Sequence, residues 1–189
     1  MKKIVFATNN AHKLEEVRAI VGDRFEIIPL AQTGITEEIP ETADTLDGNA
    51  LQKARFVYER TGLDCFADDT GLEVAALGGA PGVHSARYAT DGHDHAANRA
   101  LLLKNLEGVA DRSARFRTVI ALIQNGEERL CEGEVRGAIS TEERGEGGFG
   151  YDSLFIPEGY TETFAEMPAD LKNSMSHRGR AVEKLAKML

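Results

Sequence analysis

Apolar positions along this chain change their period several times, and each change marks an element. Lys3 to Ala7 is a short apolar run that reads as a buried strand. It ends at Thr8-Asn9-Asn10, after which Leu14, Val17 and Val21 recur at helical spacing and Gly22 supplies a stop. Phe25 to Leu30 reads as a second strand. Asp44 to Arg60 carries Leu46, Ala50, Ala54 and Val57 on one face, which predicts a long helix with Asp44 as its N-cap. Cys65 to Ala67 predicts a short buried strand running into Asp68-Asp69-Thr70-Gly71, and extended structure resumes from Leu72 to Leu77. Gly78 to Gly82 reads as a loop. Asp94 to Leu106 reads as a helix with Gly108 just past its end. Arg115 to Gln124 and Glu128 to Ile139 predict a hairpin about Asn125-Gly126. A glycine-rich loop from Gly145 to Gly150 leads to a strand at Ser153 to Ile156, stopped by Pro157, and Ser176 to Leu189 reads as the last helix. Early alternation of strand and helix with a hairpin in the middle predicts an α/β fold around a mixed sheet.

The 189 residues suit one domain, or one domain folded as two lobes. With 42% apolar residues but 6% aromatics and no Trp, the core is built from Leu, Ile, Val and Ala. A net charge of −9 argues against a general nucleic-acid binder, which carries a basic face. It leaves room for a small phosphate ligand, because a few placed cations and a metal ion reverse the local sign. Cys65 and Cys131 are isolated and read as buried reduced thiols, not zinc ligands or a redox pair. Met1 to Thr8 is too short in its apolar part for a signal peptide, and no apolar run approaches a membrane span. A cytoplasmic protein is expected.

Candidate chemistry concentrates in five places. Thr8, Asn9, Asn10, Ala11, His12 and Lys13 form a polar turn at a helix N-terminus, which offers N–H groups, a favourable dipole and a point charge to an anion. Its local alternative is an ordinary cap at Asn10. Asp68 and Asp69 follow an apolar strand, where paired carboxylates need a cation or donors nearby. They suit Mg²⁺, and one of them suits a general base toward water. Glu41 joins such a site only through a spatial partner such as Asp69, and Lys53 reads as a cation on a solvated helix face. Gly145 to Gly150 matches G-x-G-x-x-G but runs into extended structure, so a dinucleotide fingerprint is rejected. Phe149, set among these glycines, reads as a stacking platform for a flat ring that the backbone can approach closely. Lys172, His177 and Arg178 gather cations at a helix start, where they oppose the helix dipole and so call for an anion.

Taken in order, these blocks resemble the inosine triphosphate pyrophosphatase family. The resemblance rests on Thr8-Asn9-Asn10 with Lys13, Ala67 to Leu72, Gly78 to Gly82 with Ser85 to Ala89, Gly148 to Asp152, and Ser176-His177-Arg178. It implies a single two-lobed domain over residues 1–189, in which an elongated mixed central sheet with flanking helices forms two lobes around a nucleotide cleft. It implies a homodimer and Mg²⁺-dependent hydrolysis of ITP, dITP and XTP to the monophosphate and pyrophosphate, with neither nucleic acid nor membrane as partner. By position, Thr8 to Lys13 and Lys53 would hold phosphates. Glu41 and Asp69 would bind the metal, with Asp69 as proton acceptor and Asp68 as the other candidate for that role. Thr70, where the family often has Ser, would contact substrate. Phe149, Gly150, Tyr151 and Asp152 would surround the base, and Lys172, His177 and Arg178 would contact base or phosphate. Two rivals stand beside this reading: a pyrophosphatase preferring thymidine or uridine triphosphates, and a nucleotide sensor without catalysis.

Overall fold

The structure, a computed structural model, describes residues 1–189. Seven strands form one mixed sheet: β1 (Lys2–Phe6), β2 (Phe25–Pro29), β3 (Cys65–Val74), β4 (Pro81–Gly82), β5 (Ser113–Gln124), β6 (Glu127–Ile139) and β7 (Phe155–Pro157). Their order is β2-β1-β3-β5-β6-β7, with β4 paired to β3. β1 runs parallel to β2 and to β3, whereas β4 is antiparallel to β3 and β7 to β6. Five helices accompany the sheet: α1 (Ala11–Val21), α2 (Leu46–Thr61), α3 (His95–Asn105), α4 (Ala169–Met175) and α5 (His177–Met188). None is long and apolar enough to cross a membrane.

Local chemistry explains most boundaries. Asn10 caps α1 by accepting from Lys13 N–H at 3.1 Å, and Gly22 ends it in the positive-φ region. Asp94 caps α3 in the same way through Ala97 N–H. Asn125 and Gly126 both take positive φ, as the two-residue turn between β5 and β6 requires.

Several expectations need correction. Thr45, not Asp44, caps α2, because its extended backbone brings Oγ1 within 3.0 Å of Gly48 N–H. Asp68 and Asp69 do not follow a short strand: β3 runs unbroken from Cys65 to Val74 and carries both in its interior. It then passes into a 3₁₀ turn at Ala75–Leu77, where extended structure was expected. Pro157 does not stop β7 from outside but is its last residue, opposite Gly137. The expected last helix is α5, and ahead of it lies a further short helix, α4, which ends where Ser176 takes ψ 161° and its N–H closes onto Lys172 O.

The chain divides into two compact units. The first comprises Met1–Asp69, Thr118–Gly133 and His177–Leu189; the second comprises Thr70–Arg117 and Glu134–Ser176. The first has a core of Ile4, Phe6, Val17, Phe66, Ile120, Leu122 and Val182, among others, in which Phe6 and Phe66 stack at 4.4 Å. In this unit α5 crosses β6 at Gly133, where a Cβ would meet the backbone of His177 and Ala181. The second has its own core, with Phe155 at 4.7 Å from Phe116 and 5.2 Å from Phe164 between ring centroids. The core residues are mostly aliphatic, as the composition requires, but Phe side chains occupy the centre of each cluster.

Gly71 shows why one motif glycine is needed. A Cβ there would lie 2.6 Å from the backbone oxygen of Gly82, the residue that pairs with Leu72 in β4. Backbone on both sides leaves little freedom to give way. Gly71→Ala is expected to lower unfolding free energy by about 1–3 kcal/mol, measurable by urea denaturation.

Candidate active site

In the first unit a buried carboxylate gathers two cations. Asp68, in the middle of β3, is 1% exposed. Its Oδ1 accepts from Lys13 Nζ at 3.0 Å and its Oδ2 from Arg178 Nε at 3.2 Å. Burial alone would push this carboxyl up, but Lys13, Arg178 and Lys53 outweigh it and hold the group well below the usual carboxylate range. Arg178 also donates to Glu16 on α1. The anions that answer a cation at the start of α5 are therefore the protein's own.

Next along β3, Asp69 accepts from Asn49 Nδ2 at 3.0 Å. Burial pushes its carboxyl above the ordinary value; Lys53, Lys13 and the Asn49 hydrogen bond oppose this, and the nearby Glu41 charge adds to it. A carboxylate so placed holds a proton more readily than its neighbour Asp68. Lys53 is buried, and its Nζ meets Glu41 Oε1 at 2.6 Å. The expected solvated face for Lys53 is thus wrong: Ala50, Ala54 and Val57 of the same helix are fully buried and carry Lys53 inward with them. No group of three or more His, Cys, Asp or Glu side chains gathers to hold a metal. Glu41 and Asp69 are two hard carboxylates close enough for one charge to disfavour the other, which suits a divalent cation that completes its shell with phosphate oxygens and water.

The turn before α1 is a local cap in its details. Thr8 Oγ1 accepts from Asn10 N–H, and Asn10 Oδ1 from Lys13 N–H. Asn9, Ala11 and His12 are exposed, whereas Lys13 points to Asp68.

In the second unit the glycine-rich loop is organised by another buried pair. Lys172 Nζ, on α4, lies 2.6 Å from Asp152 Oδ2, with both side chains 6% exposed. The same Asp152 oxygen accepts from Phe149 N–H at 3.0 Å, and Lys172 Nζ stands 5.2 Å from the Phe149 ring centroid. Phe149 and Gly150 are half-buried. Tyr151 is in the core, its hydroxyl donating to Ser85 O at 2.6 Å, so it supports the loop from inside. The backbone that the loop approaches closely is its own protein's. A Cβ at Gly145 or Gly147 would come within 2.7–2.8 Å of the Ala165 and Glu166 backbone, and Gly147 N–H donates to Ala165 O. Thr70, half-buried, belongs to this unit, while His177 and Arg178 belong to the first.

With both groups described, comparison with known proteins places the chain. The sequence pattern of the Ham1 family matches residues 4–188. The chain belongs to the Ham1 family. A relative from Porphyromonas gingivalis named dITP/XTP pyrophosphatase is 56% identical over 190 residues, spanning 100% of this chain and 98% of its own. Among solved structures, a HAM1 protein from Coxiella burnetii superposes with a TM-score of 0.90 at 40% identity, covering 100% of this chain and 98% of its own. A nucleoside-triphosphatase, dITP/XTP pyrophosphatase, from Mycobacterium abscessus has a TM-score of 0.78 at 42% identity, over 97% and 98% of the two chains.

Three polar residues that shape this Ham1 protein's two groups escaped sequence reading: Asn49, Glu16 and Asn98. Asn98 is 1% exposed and ties the Ser85 to Ala89 block together, donating to Ala86 O at 2.9 Å and accepting from Ala89 N–H at 2.8 Å. Each is a polar residue inside an amphipathic helix. Asn49 carried one signal, an amide between Gly48 and Ala50, whereas Glu16 beside Glu15 and Asn98 beside Arg99 carried none.

Breaking the Asp152–Lys172 pair from one side leaves a buried charge uncompensated. Lys172→Met is expected to cost about 3–5 kcal/mol in urea unfolding, and adding Asp152→Asn is expected to recover much of that loss. Equal stability of Lys172→Met and the parent would show that the pair does not organise the loop.

Proposed function

We infer that this protein is a nucleoside triphosphate pyrophosphatase that converts dITP, XTP and ITP to their monophosphates and pyrophosphate, clearing deaminated purines from the nucleotide pool. The observation that carries this reading is full-length similarity, at 56% identity, to a protein named dITP/XTP pyrophosphatase. The side chains of each unit supply matching chemistry. We assign residues 1–189 to one functional domain, a homodimer in the cytoplasm, and Mg²⁺ as the divalent ion.

In the first unit the Thr8 to Lys13 turn presents a helix N-terminus, and the half-buried Lys13 and buried Lys53 add positive charge suited to a triphosphate. Glu41 and Asp69 are the residues that would hold Mg²⁺. When bound, this ion supplies polarisation of phosphoryl oxygens and neutralisation of triphosphate charge. Asp69 takes the proton as water attacks the α-phosphorus, the bond from that phosphorus to the bridging oxygen breaks, and pyrophosphate leaves. Burial, which makes the ionised form of Asp69 less favourable, suits it to accept that proton. Asp68 is unsuited, since Lys13 and Arg178 hold its carboxylate ionised.

In the second unit we assign Phe149 to the purine ring and the Gly150 to Asp152 segment, with Thr70, to neighbouring groups. His177 and Arg178 are assigned to the substrate from the first unit, Arg178 acting while still paired to Asp68. A donor aimed at O6 would accept inosine and xanthosine and leave adenine's amino group unpaired, and such hydrogen-bonded sites discriminate by about 10⁴ or more.

The test is pyrophosphate release with Mg²⁺ at matched low concentrations of dITP, XTP, ITP, dATP, dGTP, dTTP and UTP. Fast turnover of the first three, with the others slower by about two orders of magnitude or more, is expected. Preference for a pyrimidine would mean the base assignment is wrong, and tight dITP binding without turnover would make the protein a sensor.

A further inference from the structure

Glu41 stands on a loop and Asp69 inside a strand, yet the proposed reaction needs them at a fixed spacing. One buried side chain touches both segments. Asn49, on α2, is 4% exposed. Its Nδ2 donates to Asp69 Oδ2 at 3.0 Å, and its Oδ1 accepts from the N–H of Ala43, two residues past Glu41, at 2.9 Å.

The direction of this amide is fixed by chemistry. The Ala43 N–H can only donate, so it must meet the amide oxygen, and the NH₂ group is thereby turned to Asp69. Lys53 lies four residues on, on the same helix face, and holds the Glu41 carboxylate itself at 2.6 Å. One face of α2 thus grips the Glu41 segment at its side chain and its backbone, and Asp69 at its carboxylate.

We propose that Asn49 is a positioning residue for the pyrophosphatase reaction, fixing the rotation of the Asp69 carboxylate and its spacing from the Glu41 loop. The proposal rests on the roles given above to Asp69 and Glu41. Neighbouring chemistry explains the residue type. Asp in this place would still accept from Ala43 but would set a second carboxylate against Asp69. Ala would release both partners.

Gln52 provides an internal comparison. Its Oε1 accepts from Thr42 N–H at 2.8 Å and its Nε2 donates to Thr42 Oγ1 at 2.9 Å. It therefore holds the same loop, and nothing ties it to Asp69.

Asn49→Asp, Asn49→Ala and Gln52→Ala are to be compared with the parent protein in four measurements: kcat and KM for dITP, the Mg²⁺ concentration for half-maximal rate, calorimetric Mg²⁺ binding without nucleotide, and urea unfolding. Both Asn49 variants are expected to lose about 10–100-fold in kcat or in Mg²⁺ affinity, with KM for dITP nearly unchanged, as for loss of a partner that orients a metal ligand. Gln52→Ala is expected to show a much smaller change in each. If Asn49→Ala is too unstable to assay, Asn49→Asp, which has the same shape and keeps the Ala43 contact, decides the matter. Unchanged kcat and Mg²⁺ dependence in a folded Asn49 variant would overturn the proposal, and so would an equal loss in Gln52→Ala, which would leave Asn49 as a loop tether only. A parent protein that hydrolyses none of dITP, XTP or ITP would overturn the underlying reading instead, and the proposal with it.

Discussion

Asp68 is a carboxylate in the interior of a strand, with almost no contact with water, and it stays ionised only because cations from two other elements reach it. Removing a charge from water costs several kcal/mol per ion unless partners and hydrogen bonds replace the hydration. Lys13 from α1 and Arg178 from α5 meet that requirement, one on each oxygen. Arg178 in turn needs Glu16, because two cations facing one carboxylate would leave positive charge in excess. The packing of α5 on Gly133 sets where that guanidinium stands. Strand, first helix and last helix of the first unit are thereby fixed to each other by charge, and Asp69 follows Asp68 on the same strand, its backbone held with it and its carboxylate met by Asn49.

The second unit applies the same principle to a loop. Asp152 and Lys172 are a buried pair, and the carboxylate also holds the Phe149 N–H, so an ion pair holds the backbone of the aromatic residue in the glycine-rich loop. Glycines let this loop lie flat against the Ala165 segment. In both units an acidic side chain is the organising centre and the cations are already partnered. That accounts for how a chain with a net charge of −9 keeps inward-facing lysine and arginine without a basic surface.

What could be read from sequence was local. Period, caps and the Asn125-Gly126 turn marked the hairpin, every helix but α4 and every strand but β4, which was expected to be loop and forms through its pairing with β3. Partners at long range were not readable. Asp68 looked like a residue past the end of a strand because adjacent acids disrupt a strand unless compensated, and its compensation comes from 55 residues before and 110 residues after. Lys53 looked solvated for the same reason, its partner Glu41 lying in an irregular loop. The seven-residue helix α4 is too short to show a helical period in the sequence. The motif blocks contained both buried carboxylate centres, Asp68 and Asp152, but Tyr151, Asn10 and the loop glycines serve the fold directly, and Asn49 lay outside every block.

The proposed function divides labour between adjacent acids, with Asp68 holding the fold's cations and Asp69 assigned the chemistry. Preparing Asp68→Asn and Asp69→Asn side by side, and measuring urea stability and dITP turnover on both, tests it most directly. Asp68→Asn should lose about 3–5 kcal/mol because Lys13 and Arg178 lose their counter-charge. Asp69→Asn should keep its stability, since burial already disfavours that charge, and lose about 10²–10⁴-fold in turnover. Near-normal turnover in Asp69→Asn, or full stability in Asp68→Asn, would contradict the account.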